Sequence, residues 1–316
     1  MQYRLRILTA MALLAVSASA CAADDDAPPA AASIVVTTTV LGDVVQRIVG
    51  TDLSVEVLVP AGVDPHEFQL SARQIAGLAR ADLVVANGLG LEQGMEDALS
   101  SVADDGVPVL RVAELVDPVP FRAHGHGDED HPGGDAGALD PHVWMDPLRM
   151  AEAARIVASE IASVIDDRID WTGRGETVAG EILAMHGQLE ALLATIPEER
   201  RLLVTNHDAL GYLADRYGLA VVGVIIPGGS TLAEPSSAEL AGLVATIRQT
   251  GAPAIFADTT DASSLAEAIA AEVGGSVPVI DLYTGSIGEA GTGADSYTGM
   301  MLANGRRIAA ALGGTP

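Results

Sequence analysis

The sequence predicts an α/β protein of two lobes with mostly parallel sheets, joined by one long, stiff linking helix. Three observations support this fold class. Short β-branched runs alternate with longer helical patterns, which is typical of βα units. A long helical stretch without a strand separates the first four of these runs from the last four. The roughly 280 residues that follow the N-terminal segment suit two lobes better than a single core.

The N-terminus has the three regions of a secretory signal peptide, which we predict over residues 1–20. Its apolar run over residues 7–16 is too short to span a bilayer. Small residues precede Cys21, the only cysteine of the chain. The peptide bond before Cys21 therefore suits either ordinary signal-peptide cleavage or lipoprotein processing. Because a lone exported cysteine has no disulfide partner, we expect lipidation at Cys21 and anchoring to the outer face of the cytoplasmic membrane. A periplasmic protein is the alternative.

An acidic, Ala/Pro-rich tether is predicted over residues 21–32, since this segment has nothing to bury and is expected to be disordered. The chain as a whole has a formal net charge of −26 at pH 7. Phosphate binding needs clustered positive charge, so the composition argues against nucleic acid as a partner. Cations are the natural ligands of such a chain, although acidity can equally serve solubility alone.

The β-branched runs predict eight strands, at residues 34–38, 54–59, 82–86, 107–111, 202–205, 221–225, 254–257 and 277–281. The predicted linking helix covers residues 146–170, with Asp146 as its cap and Pro147 at its first position. We assign residues 33–145 to an N-terminal lobe and residues 171–316 to a C-terminal lobe. A ligand cleft is expected between them.

A Gly-rich, acidic segment, FRAHGHGDEDHPGGDAG at residues 121–137, has no hydrophobic periodicity and is predicted to be a mobile loop. Its three histidines, His124, His126 and His131, form a candidate auxiliary metal loop. Without fixed geometry, the affinity of such a loop should be modest. A solvated linker is the equally weighted alternative.

Four residues of metal-ligand type fall at predicted strand ends or turns: His66, His142, His207 and Asp281. In open α/β sheets, ligands bind beyond the carboxyl ends of the strands. The first two histidines each lie in an Asp-Pro-His triplet, which proline holds in a stiff, non-helical turn. Each residue alone is more often a hydrogen-bonded surface or core residue. Together they predict a cation site between the lobes.

Three imidazoles and one carboxylate fill a tetrahedron, and nitrogen donors favour Zn²⁺ over the harder Mn²⁺. An exported zinc hydrolase is the enzymatic alternative. Catalytic zinc keeps one coordination position open for water, whereas four protein ligands would close the shell. The sequence also has neither a His-Glu-x-x-His motif nor a Gly-x-Ser-x-Gly elbow, so we predict a binding protein and not an enzyme.

The chain resembles the metal-specific solute-binding proteins of ABC importers, the zinc and manganese group called solute-binding protein family 9. Four segments carry the likeness: DPHEFQLSARQIAGLARADLVVANGLGLE, DPHVWMDP, TNHDALGYLADRYGL and DSYTGMMLANGRRIAAAL. The resemblance implies two lobes joined by a rigid helix, with metal in the cleft and ligand roles for His66, His142, His207 and Asp281. It also implies a membrane permease and an ATPase as partners. We expect a monomer that meets the membrane only through its lipid anchor.

The resemblance also bears on the choice of metal. Manganese-binding members typically have glutamate at the third ligand position, where this chain has His207. Zinc-binding members often carry a histidine-rich acidic loop like the one at residues 121–135. Zinc is therefore expected, with a manganese-binding member as the alternative. An exported zinc chaperone and a surface adhesin are the remaining alternatives.

Overall fold

The computed structural model describes residues 32–121, 137–165, 168–228, 231–260, 263–274 and 277–315. The predicted signal peptide, Cys21 and the loop histidines His124, His126 and His131 lie outside the described residues. The predictions made for them therefore stay predictions. Within the described part of the chain, no helix is both long enough and apolar enough to span a membrane.

Two four-stranded parallel sheets form the centres of the two lobes. The first has the order β2-β1-β3-β4 and contains β1 (Ser33–Val36), β2 (Ser54–Val57), β3 (Leu83–Ala86) and β4 (Val109–Arg111). The second has the order β6-β5-β7-β8 and contains β5 (Leu202–His207), β6 (Ala220–Ile226), β7 (Ile255–Asp258) and β8 (Val279–Leu282). The predicted fold class is confirmed, and every predicted strand is present.

Helices connect the strands of each sheet. Those of the first lobe are α1 (Thr39–Val49), α2 (Ala72–Leu78) and α3 (Glu96–Asp104). Those of the second lobe are α6 (Gly211–Tyr217), α7 (Ser237–Thr250) and α8 (Ser264–Val273). Three further helices are α4 (Pro147–Val164), α5 (Trp171–Leu193) and α9 (Tyr297–Ala311). Short 3-10 turns occur at Ala113–Leu115, Val143–Met145 and Glu198–Arg200.

The linking helix is α4, and its start follows from its first residues. The Asp146 carboxylate accepts a hydrogen bond from the Leu148 backbone N at 3.0 Å, and Pro147 occupies the first helical turn, where no intrahelical N–H is needed. The helix ends at Val164, which is earlier than the predicted residue 170. Helix α5 then packs along α4, so the connection between the sheets is a pair of helices.

One hydrophobic core continues through both lobes. It runs from Ile34 and Val85 in the first sheet, through Val157 of α4, to Phe256 and Leu282 in the second sheet. Two smaller clusters cover the outer faces of the sheets. Because a close-packed core resists shear, we expect only a small rearrangement between the lobes when a ligand binds.

Gly175 permits the close approach of α5 to α4. A Cβ atom at this position would clash with the Ala158 side chain and would lie 3.1 Å from the Ala154 carbonyl oxygen. Gly180 is on the same helix but is exposed, and a Cβ atom there would have no neighbour within 4 Å. Substitution of Gly175 therefore changes both helix packing and helix propensity, whereas substitution of Gly180 changes helix propensity alone.

Gly175→Ala is expected to destabilise the protein by about 1–3 kcal/mol, because the added methyl group overpacks the α4–α5 contact. Gly180→Ala is the matched control and should stabilise by up to about 1 kcal/mol, since alanine is the better helix former. Urea unfolding of the metal-free protein measures both changes. Equal effects of the two substitutions would contradict the packing argument.

Candidate metal centre

His66, His142 and His207 converge in one buried cluster. His66 lies in the loop that follows β2, His142 immediately precedes the turn that leads into α4, and His207 is the last residue of β5. Their exposed fractions are 2%, 0% and 2%, and their ring centroids lie 5.3 to 5.8 Å apart. One ring nitrogen from each falls within 4.8 Å of the other two. The structure thus brings together three of the four predicted ligands, from both lobes.

The spacing of the ring nitrogens suits a tetrahedral cation. His66 Nε2 and His142 Nε2 lie 3.3 Å apart. Two nitrogens bound to one tetrahedral zinc at about 2.0–2.1 Å are separated by about 3.3–3.4 Å. His207 Nε2 is buried and has no hydrogen-bond partner, which costs about 1–3 kcal/mol unless something binds it. A cation held by the three rings would satisfy this nitrogen.

The repeated Asp-Pro-His triplet builds the same turn twice. The backbone N of His66 donates to Asp64 Oδ1 at 2.8 Å, and the backbone N of His142 donates to Asp140 Oδ1 at 2.9 Å. An aspartate that accepts from the backbone two residues later forms an Asx-turn, and the intervening proline fixes φ within it. Each triplet therefore holds the backbone of its histidine in a fixed conformation.

The turn that carries His66 is held by residues of the second lobe. The Thr231 hydroxyl donates to Asp64 Oδ2 at 2.6 Å, so the aspartate that fixes the backbone of His66 also contacts the other lobe. The Gly62 backbone N donates to the Ser286 hydroxyl at 3.0 Å. The position of His66 consequently depends on the second lobe as well as on its own.

His142 has a defined ring orientation. Its Nδ1 lies 2.7 Å from Asp140 Oδ1, and a carboxylate can only accept, so Nδ1 carries the proton and Nε2 keeps a free lone pair. Tyr212 of α6 donates to the Asp140 carbonyl oxygen at 2.8 Å, and the Asn87 side-chain amide donates to the Pro141 carbonyl oxygen at 3.0 Å. Groups from both lobes thus fix this turn.

Burial keeps two of the imidazoles neutral. Burial, followed by charge repulsion from the neighbouring rings of His142 and His207, lowers the pKa of His66 to about 3. Burial, followed by His207, also holds the pKa of His142 well below its ordinary value. Neutral imidazole is the form that binds metal, so the cluster is prepared for a cation at neutral pH.

Acidification is expected to destabilise the metal-free protein below about pH 6.5. Folded His66 stays neutral down to about pH 3, whereas in the unfolded chain it takes up a proton near pH 6.5. Unfolding therefore takes up a proton in this range, and the free energy of unfolding decreases as the pH is lowered. The loss for one such group is about 1.4 kcal/mol per pH unit in this window. Above the window the group is neutral in both states and contributes no pH dependence.

His66→Gln should therefore reduce the slope of unfolding free energy against pH by about that amount. Urea unfolding over a series of pH values measures the slope. His186→Gln is the control, because His186 lies on α5 outside the cluster and is hydrogen-bonded to the Tyr217 hydroxyl at 2.9 Å. A slope that responds equally to both substitutions would show that burial in the cluster is not the cause.

Asp281, the fourth predicted ligand, does not join the histidines. Its side chain is exposed, its carbonyl oxygen accepts from Arg307 at 2.8 Å, and it lines a shallow surface depression of about 430 Å³ with Tyr283. The reason is that successive side chains of a strand point to opposite faces of the sheet. Asp281 lies inside the edge strand β8 and pairs with Ala257, so it points to the face opposite that of Leu282, which belongs to the shared core.

Asp258 is the buried carboxylate that the strand-end prediction overlooked. It ends β7, is 3% exposed, and its Oδ2 lies 3.9 Å from His207 Nδ1. It pairs with Leu282 and so lies on the opposite face from Asp281. The signal was available, because this aspartate directly follows the predicted strand at 254–257.

Comparison with known proteins places the chain in a family. The sequence profile of the family described as "Zinc-uptake complex component A periplasmic" matches residues 34–311. The chain belongs to this family. It is a metal-binding solute-binding protein of the ABC importer type, as its resemblance implied.

Individual relatives of this zinc-uptake family carry different metals in their names. The zinc-binding protein TroA of Treponema pallidum is 31% identical over 278 residues, which cover 86% of each protein. The manganese-binding lipoprotein MntA of Halalkalibacterium halodurans is 26% identical over 266 residues, or 84% of this chain and 83% of the relative. The periplasmic zinc-binding TroA structure matches with a TM-score of 0.78 and 29% identity, covering 89% of this chain and 99% of that chain. The relatives therefore agree on metal binding and differ on the metal.

Proposed function

We propose that this protein captures Zn²⁺ outside the cytoplasm and delivers it to an ABC permease that is driven by its ATPase. The observation that supports this most directly is the cluster of three buried imidazoles contributed by both lobes. His66, His142 and His207 are the proposed ligands. In this function the protein binds and releases its cation and performs no catalysis.

The donor set favours zinc over manganese. Imidazole nitrogen is a borderline donor that suits Zn²⁺, whereas Mn²⁺ prefers sites rich in carboxylate and carbonyl oxygen. The ligand cluster found in the described residues consists of nitrogen donors only, since Asp281 lies elsewhere. The 3.3 Å separation between the Nε2 atoms of His66 and His142 also agrees with short, tetrahedral bonds.

The N-terminal sequence supports the proposed location, and relatives named as lipoproteins or periplasmic proteins agree with it. We propose that the signal peptide over residues 1–20 is removed and that Cys21 then carries a lipid anchor. A protein held at the outer membrane face would remain close to its permease while the acidic tether over residues 21–32 leaves it free to turn. The histidine-rich loop over residues 121–137 is proposed as an auxiliary collector of zinc.

The first test is metal content and competition titration of the mature protein from Ala22 onward. We expect one tightly held zinc per chain that excess manganese does not displace. His207→Ala should weaken zinc binding by more than about 100-fold, because it removes a direct ligand and not only an outer partner. His186→Ala, which removes a histidine outside the cluster, should leave the affinity unchanged.

Two results would overturn the proposal. Displacement of zinc by equimolar manganese would assign the protein to the manganese-binding members of its family. Zinc binding that is insensitive to His207→Ala would show that the cation is held elsewhere in the chain.

A further inference from the structure

Asp258 and His207 meet at the same edge of the second sheet. Strands β5 and β7 are parallel neighbours, and these two residues are their last members. Both side chains are 3% exposed, and Asp258 Oδ2 lies 3.9 Å from His207 Nδ1. A buried carboxylate thus stands beside one ring nitrogen of a proposed metal ligand, where little solvent screens its charge.

The carboxylate of Asp258 is fixed by neighbouring donors. Its Oδ1 accepts from the Thr260 backbone N at 2.9 Å, and its Oδ2 accepts from the Thr284 hydroxyl. With one bond to each oxygen, the group cannot rotate away from the cluster without losing a buried hydrogen bond. The carboxyl group of Asp258 is therefore held beside His207.

The two ring nitrogens of His207 have different surroundings. Nδ1 faces Asp258, whereas Nε2 is buried and has no hydrogen-bond partner. A cation on Nε2 would lie across the ring from Asp258, so the aspartate is placed to act on the imidazole and not to coordinate the metal. The neighbouring pair of His142 and Asp140 shows the same arrangement in a tighter form, with Nδ1 and Oδ1 at 2.7 Å.

We propose that Asp258 is a positioning residue for His207: its carboxylate keeps the proton on Nδ1 and leaves the Nε2 lone pair for the metal. A carboxylate partner on the far nitrogen fixes the ring and raises the basicity of the ligating nitrogen. The separation of 3.9 Å is longer than a hydrogen bond, and a contraction of about 1 Å would close it. The inference rests on the proposed function for the role of Nε2 as ligand.

The first measurement uses the metal-free protein without any change near Asp258. Nitrogen-15 NMR of histidine-labelled protein distinguishes protonated from unprotonated ring nitrogens, and the spectrum of His207→Gln assigns the signals of His207. We expect Nδ1 protonated and Nε2 unprotonated. A His207 that carries its proton on Nε2 would overturn the proposal, whether or not Asp258→Asn folds.

The second measurement compares Asp258→Asn with Asp281→Asn, which makes the same chemical change at an exposed site on the neighbouring strand. Replacing a buried aspartate by asparagine can reverse the tautomer of its histidine, because the amide group donates where the carboxylate accepted. Asp258→Asn should shift the proton of His207 toward Nε2 and lower zinc affinity by about 10- to 100-fold. Asp281→Asn should change neither quantity.

The two readouts separate this inference from the zinc function itself. If the wild-type protein binds no zinc tightly but Asp258→Asn shifts the His207 proton, the positioning role stands and the zinc function fails. If the wild-type protein binds zinc tightly but Asp258→Asn leaves both the tautomer and the affinity unchanged, the zinc function stands and the positioning role fails.

Discussion

The mutual burial of three imidazoles is the constraint on which the rest of this structure depends. Protonation of His66 or His142 is disfavoured in a site that water hardly reaches, because burial lowers the pKa of both and neighbouring imidazoles lower it too. Two buried ring nitrogens, His66 Nδ1 and His207 Nε2, have no hydrogen-bond partner, and the three rings are spaced as a cation site requires. The site thus gives up some stability of the metal-free fold in favour of binding.

Carboxylate groups around the cluster hold the histidines in position. Asp64 and Asp140 hold the backbones of their histidines, Asp140 also holds a ring, and Asp258 lies beside the third ring. None of the three has to bind metal to do so. Their negative charge also lowers the electrostatic cost of bringing a divalent cation into a buried site.

The fold and most of the cluster could be predicted from the sequence. Eight β-branched runs, separated by helical periodicity, identify strands whose carboxyl ends converge, and the Asp-Pro-His triplets mark rigid turns there. The prediction that Asp281 lies beside the histidines was wrong, because a sequence gives the end of a strand only to within a residue or two. A shift of one residue moves a side chain to the other face of the sheet. Asp258 directly follows the predicted strand at residues 254–257, so the same strand-end rule could have identified it.

The contacts between lobes could not have been predicted, since Thr231 and Ser286 lie far along the chain from the turn that they hold. Their placement has a kinetic consequence. If the three imidazoles hold a cation, we expect its departure to require the hydroxyl contacts to the His66 turn to part, so that its dwell time depends on movement between the lobes. Under the proposed function, tight retention in solution and fast unloading at a docked permease would then be compatible, because the permease would need to displace that turn and not to compete for the metal.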